Sequence, residues 1–220
     1  MTVAFFDMDR TLLTVNSGTR WVKFLRQRGE ISRWQLLRAM GWAVQYHLSI
    51  LDMATLSQRL VADLEGDSEA EMIAKCALWF DAEMRHTLAP PALARVEEHR
   101  ARGERVVLLT SSTQFIAHPL ARAAQLSDVI CSHLEVVGGK FTGRMTGPIC
   151  FGAGKVMAAE AWAAREGVDL QATTFYTDSY TDLPMLERVG KPVAVNPDPR
   201  LARAARRRGW PVLDWSGAAS

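Results

Sequence analysis

Apolar residues fall into two regimes along this chain. Val3 to Phe6 form a short β-prone run that stops at Asp7, and comparable short runs return only after Pro90. Between them lie roughly seventy residues whose apolar positions recur at helical spacing. Ser17 is placed to cap a first helix carrying Trp21, Val22, Phe24 and Leu25, ending near Gly29. Ser32 opens a second, with Trp34, Leu37, Trp42 and Leu48 among its apolar positions. Asp52 caps a third, from Met53 to about Leu64. Ser68-Glu69-Ala70-Glu71 has the capping-box spacing and introduces a fourth, with Met72, Ile73, Cys76, Trp79 and Phe80. Four amphipathic helices in succession predict a small bundle.

After Pro90 strands and helices alternate. A helix from Pro91 to about Arg102 stops at Gly103, and Arg105 to Leu109 reads as a buried strand. A helix from Thr113 to Ala124 leads to a short strand at Asp128 to Cys131. Leu134 to Val137 and Phe141 to Met145 flank Gly138-Gly139, a hairpin signal. Gly154 to Glu166 is helical, and Thr173 to Tyr176 and Val193 to Val195 are strands. The alternation predicts an α/β fold, a parallel sheet with helices on both faces. The helical block then reads as an insert. This gives a core of residues 1–15 and 89–220 and a cap of residues 16–88.

Composition narrows the classes. With 220 residues, 48% hydrophobic and 23% charged, the chain fits a globular core carrying an insert. A net charge of +2 gives no case for nucleic acid. Cys76, Cys131 and Cys150 lack metal-ligand spacing, and an odd number fits a reduced compartment. Val3 to Phe6 is too short for a signal peptide. The longest apolar stretch, Trp34 to Leu51, is broken by Gln35, Arg38, Gln45 and His47. A cytoplasmic protein is expected.

Four pieces carry chemistry, each at a strand or helix end. They are Asp7-Met8-Asp9-Arg10-Thr11, Thr110-Ser111-Ser112, Lys155 in GAGKVMAAEAW, and Asp178 with Asp182 in FYTDSYTDLPML. Each has a bland alternative. Thr110 to Thr113 fits a helix cap, Lys155 a solvated lysine, Asp178 a turn, and Asp182 an N-cap ahead of Leu183-Pro184. The Walker reading of Lys155 fails, because Val156 replaces Ser/Thr and the outer glycine is missing. Asp7 and Asp9 resist dismissal. Carboxylates about 4 Å apart repel by about 4 kcal/mol at an effective dielectric near 20, so a cation is needed between them. Magnesium, which takes oxygen ligands, suits that role.

Taken together and in this order, these elements resemble the haloacid dehalogenase superfamily of phosphohydrolases, in its phosphoserine phosphatase-like branch with a helical cap. The resemblance covers the whole chain and implies a Rossmann-like core. It implies Asp7 as nucleophile, Asp9 as general acid and then base, and Thr110, Ser111 and Lys155 as phosphoryl-binding residues. It further implies a Mg2+ site formed by Asp7, the backbone carbonyl of Asp9 and Asp178, with Asp182 at or near its shell. The implied substrate is a small phosphorylated metabolite. Phosphoserine phosphatases carry a glutamate nine residues after the nucleophile. This chain has Asn16 there, which weakens a phosphoserine assignment.

Arg10 stands where many relatives have a small residue, and the sequence gives it no role. The cap is rich in tryptophan and arginine: Arg20, Trp21, Arg26, Arg28, Arg33, Trp34, Arg38, Trp42 and Trp79. Bundle core plus a solvated face is the favoured reading, ahead of a membrane-facing or lipid-headgroup-accepting cap. RLARAARRRGW likewise reads as a solvated helix face. The rival functions are a phosphotransferase to an alcohol, a phospholipid-headgroup phosphatase and a phospho-accepting signalling domain. Oligomeric state is left open.

Overall fold

The computed structural model describes residues 2–32, 34, 35, 37, 38, 40, 41 and 52–215. Strand β1 (Val3–Phe6) is followed by a tight turn at Met8–Leu12, then α1 (Ser17–Gln27), α2 (Met53–Ala62), α3 (Glu69–Trp79) and α4 (Pro90–Ala101). The chain continues through β2 (Arg105–Thr113), α5 (Gln114–Ala123), β3 (Asp128–Ser132), β4 (Leu134–Val137), β5 (Lys140–Met145) and α6 (Ala153–Glu166). It closes with β6 (Thr174–Thr177), α7 (Leu183–Arg188), β7 (Lys191–Val195), α8 (Pro199–Arg208) and β8 (Val212–Leu213).

Six strands form one sheet in the order β3-β2-β1-β6-β7-β8, and every pairing is parallel. The chain fills one side of β1 first and the other side later. The strand order therefore reverses between β1 and β6, and the crevice at the carboxyl ends there is where such sheets bind ligands. Register brings the strand ends level, with Phe6 opposite both Leu108 and Tyr176.

Both faces of the sheet are covered, so β1 is buried at every position. Val3 and Phe5 pack with Trp162, Leu170 and Met185 on one face. Ala4 and Phe6 pack with Val96, Leu120 and Trp79 on the other. Burial of a side chain such as Phe5 contributes about 1.5–3 kcal/mol. Phe6 stacks on Tyr176 with centroids 4.4 Å apart, and Tyr176 OH lies 2.9 Å from His99 Nε2. His99 Nδ1 lies 2.5 Å from Glu104. This buried network fixes the strand residues just before Asp7 and Thr177.

The hairpin of β4 and β5 turns through Gly138 and Gly139, at φ 59° and 78°, as a tight two-residue turn requires. It is bonded to the helical segment. The Glu69 N–H donates to Gly139 O at 3.0 Å, the Phe141 N–H to Asp67 O at 3.0 Å, and Gln58 Nε2 to Gly143 O at 2.8 Å. Val61 and Cys76 share an apolar cluster with Phe115, Leu134 and Phe141. Helices α2 and α3 thus bury apolar positions against the hairpin and α5.

Several boundaries differ from the sequence reading. Asn16, not Ser17, caps α1, and β2 runs on to Thr113 instead of stopping at Leu109. The two-residue strand β8 was not anticipated. Asp52 and Ser68 cap α2 and α3 as expected. Ser32 Oγ accepts from the Gln35 N–H, but Trp34 and Leu37 are 80% and 58% exposed. Arg33, Trp42 and Leu48 lie outside the described residues. Trp21 and Trp79 pack into the core, and the three cysteines are free and buried. Among the described residues no helix is long and apolar enough to cross a membrane.

Candidate active site

Asp7 leaves β1 in an extended conformation, and its N–H donates to Tyr176 O at 2.9 Å. The chain then folds back on itself. The Leu13 N–H reaches Met8 O at 2.9 Å and the Arg10 N–H reaches Val15 O at 3.2 Å. Arg10 adopts a left-handed backbone, φ 54° and ψ 7°, which costs a residue other than glycine about 1–2 kcal/mol.

The turn delivers Asp9 to the start of α1. Its Oδ1 accepts from the Ser17 N–H at 2.9 Å and its Oδ2 from Asn16 Nδ2 at 3.0 Å. Asn16 Oδ1 caps the same helix by accepting from the Thr19 N–H at 3.0 Å. Unpaired amides and the helix dipole make this end favourable for a carboxylate.

Lys155 sits in the first turn of α6 and is 2% exposed, so the surface-lysine alternative fails. Its ammonium donates to Asp7 Oδ1 and to Asp182 Oδ2, both at 2.8 Å. The neighbouring Gly154 is required sterically, since a Cβ there would lie 2.1 Å from Ile149 O. Asp182 precedes α7 but caps nothing with its side chain. Its Oδ2 accepts instead from Lys155 and from Thr177 Oγ1, the latter at 2.7 Å. Thr110 Oγ1 is buried and accepts from the Ser112 N–H at 3.1 Å, which leaves the hydroxyl proton free to donate. Asp178 is buried, and the Asp198 N–H anchors its backbone carbonyl at 2.8 Å.

All seven site residues anticipated from the sequence, Asp7, Asp9, Thr110, Ser111, Lys155, Asp178 and Asp182, line one cavity of about 240 Å³. Arg10, Asn16, Phe151, Ser179 and Thr181 complete its wall. Larger clefts of about 360 and 430 Å³ lie beside Phe80 and beside Pro148, and neither gathers carboxylates in this way.

Four carboxylates face two cationic side chains in this cavity. Burial, opposed by Lys155 and reinforced by Asp182 and Asp9, pushes Asp7 up to about 7. Burial likewise raises Asp178 to about 7, with Arg10 pulling against it. Burial also raises Asp9, against the bonds from Ser17. Burial alone would lower Lys155, but Asp182 and Asp7 outweigh it and hold the ammonium well above its ordinary range.

The carboxylates are therefore short of positive charge, and an all-oxygen donor set fits a hard divalent cation. Among the described residues no three acidic, histidine or cysteine side chains form a ready-made ligand cluster. Asp9 is drawn to Asn16 and Ser17, and Asp182 to Lys155 and Thr177. Asp7 and Asp178 are the carboxylates left most available to a cation. Thr177, Asn16 and Arg10 were not assigned site roles from the sequence. For Thr177 and Arg10 the signal was their position beside the acidic motifs, and for Asn16 it was the place where phosphoserine phosphatases carry a glutamate.

The family model of haloacid dehalogenase-like hydrolases matches residues 4–187. A phosphoserine phosphatase of Mycobacterium tuberculosis is 34% identical over 216 residues, covering 96% of this chain and 70% of that protein. A histidinol-phosphatase of Neisseria meningitidis is 31% identical over 220 residues, covering 97% and 98%. A crystal structure of a protein of unknown function from Bordetella pertussis superposes with a TM-score of 0.90 at 32% identity, covering 97% of this chain and 98% of that one. The chain belongs to the haloacid dehalogenase-like hydrolase family.

Proposed function

We propose that this protein is a magnesium-dependent phosphatase that hydrolyses a small phosphomonoester through an aspartyl-phosphate on Asp7. Its class, phosphoric monoester hydrolase, follows from its family and from relatives named phosphatases along nearly its whole length. The observation that carries the mechanism is the division of labour around Asp7. Lys155 holds Oδ1, while Oδ2 takes no hydrogen bond among the described residues, and Asp7 lines the cavity.

Asp7 Oδ2 attacks phosphorus and the ester oxygen leaves with a proton from Asp9. Burial, which raises Asp9, favours the protonated form this step needs. Asp9, now ionised, takes a proton from water as that water attacks phosphorus, releasing phosphate and restoring Asp7. Lys155, Thr110 and Ser111 stabilise the charge on the phosphoryl oxygens. Asp7, Asp178 and the Asp9 backbone carbonyl would hold Mg2+, which would supply positive charge to offset that of the carboxylates and the phosphoryl oxygens. Asp182 acts mainly by holding Lys155. Residues 16–88, as the cap, would select the substrate, and the cytoplasm is the proposed compartment.

The test is phosphate release from a panel of phosphorylated metabolites at fixed magnesium, with and without chelator. Release that chelation abolishes and magnesium restores is expected. Asp178→Asn should raise the magnesium concentration required. Full activity in excess chelator contradicts the metal assignment.

A further inference from the structure

Given the phosphatase reading above, we infer that Arg10 is a specificity residue whose guanidinium engages a second anionic group, on the alcohol portion of the phosphomonoester. Two cationic side chains line the cavity, and they differ in commitment. Lys155 is buried and spent on Asp7 and Asp182. Arg10 is exposed at the cavity wall, and among the described residues its side chain has neither an ion pair nor a hydrogen bond. It lies close enough to Asp9 and Asp178 to act on both electrostatically, yet it bonds to neither.

Its backbone adds a second observation. The left-handed turn at φ 54° is one that glycine adopts without strain, so an arginine there carries a conformational cost. The turn itself is closed by backbone, through the Arg10 N–H to Val15 O, and does not need the side chain. Strain kept at the wall of a binding cavity is what a recognition role would account for. A guanidinium presents a planar fork of donors suited to carboxylate or phosphate, and it repels an ammonium. Asn16 bonds to Asp9 and to the start of α1, and its neutral amide brings no charge to set against that of the guanidinium. The substrate class is therefore a small phosphomonoester with an anionic, not a cationic, far end.

Three two-carbon esters that differ at that end form the test: phosphoglycolate, 2-hydroxyethyl phosphate and phosphoethanolamine. A bisphosphate, ethylene glycol bisphosphate, separates a preference for a second phosphate from one for carboxylate. The kcat/KM of the unmodified protein should rank an anionic ester above the neutral one by about tenfold or more, with the ammonium ester lowest. Arg10→Gly, which relieves the turn and should melt no lower, should compress that ranking to within about threefold, chiefly through KM. Arg10→Lys should restore part of it. An unchanged ranking in Arg10→Gly overturns the inference. So does an equal loss on all the esters, which would place the guanidinium on the transferred phosphoryl group. If the unmodified protein hydrolyses none of these esters and no generic aryl phosphate, the phosphatase reading itself fails, a result distinct from an altered ranking.

Discussion

Lys155 Nζ and Asp182 Oδ2 lie 2.8 Å apart in the buried floor of the cavity, although 27 positions separate them in the chain. Asp182 gives its side chain to this contact instead of to the helix it precedes. The pair fixes the ammonium against Asp7, so positioning Asp7 and offsetting its charge are one structural feature. Lys155→Met should leave Asp7 and Asp182 buried without their cation. A loss of about 3–5 kcal/mol in stability is expected at pH 8 in metal-free protein. The loss should shrink at pH 5, where Asp7, at about 7, binds a proton. Thermal melts at the two pH values check this, and turnover should fall at both.

Metal and protons should compete for the same carboxylates. Asp7 and Asp178 stand at about 7 in the folded chain against an ordinary 3.8, so the fold binds more protons than the unfolded chain between those values. Their contribution is complete below about pH 4 and is lost as pH rises through about 7. Chelated protein should therefore lose part of its stability between pH 5 and 8. Added magnesium should raise Tm more at pH 8 than at pH 5. A magnesium shift that does not depend on pH contradicts this linkage.

Asn16 joins the start of α1 to Asp9. Asn16→Ala removes both the helix cap and a donor to the carboxylate, and the cap alone is worth about 1 kcal/mol. Without the donor, the ionised form of Asp9 is less favoured. On the proposed mechanism a good leaving group makes hydrolysis of the phosphoenzyme the slow step, so with p-nitrophenyl phosphate the acidic limb of the kcat profile should move to higher pH. A profile that falls uniformly, with no displacement along the pH axis, assigns Asn16 a purely structural role.

Strand β1 and the acidic motifs were legible because each is local, whereas the two-residue β8 was not. Val3 to Phe6 is buried throughout, and the capping signals at Asp52 and Ser68 act within one turn. Asp182 shows where local reading stops. Its sequence context suits an N-cap, but Lys155 and Thr177 outcompete the α7 backbone for its carboxylate. Gly154 is similar, because its need for close approach to Ile149 O appears only in three dimensions. The packing of α2 and α3 on the hairpin was equally hidden, since their apolar periodicity says that a face is buried but not against what.

The most direct measurement of the central claim, a phosphoenzyme on Asp7 resolved by Asp9, is rapid-mixing kinetics of Asp9→Asn. Nitrophenol is a good leaving group, so p-nitrophenyl phosphate should still phosphorylate Asp7. Hydrolysis of the aspartyl-phosphate should stall, because water lacks its base. A burst of about one nitrophenol per active site should precede a slow phase, and the protein should carry acid-stable, hydroxylamine-sensitive phosphate that Asp7→Asn never acquires. An alkyl phosphate, whose leaving group needs the proton, should give no burst. Equal slowing of aryl and alkyl substrates in Asp9→Asn, with no phosphate trapped on the protein, would contradict the account.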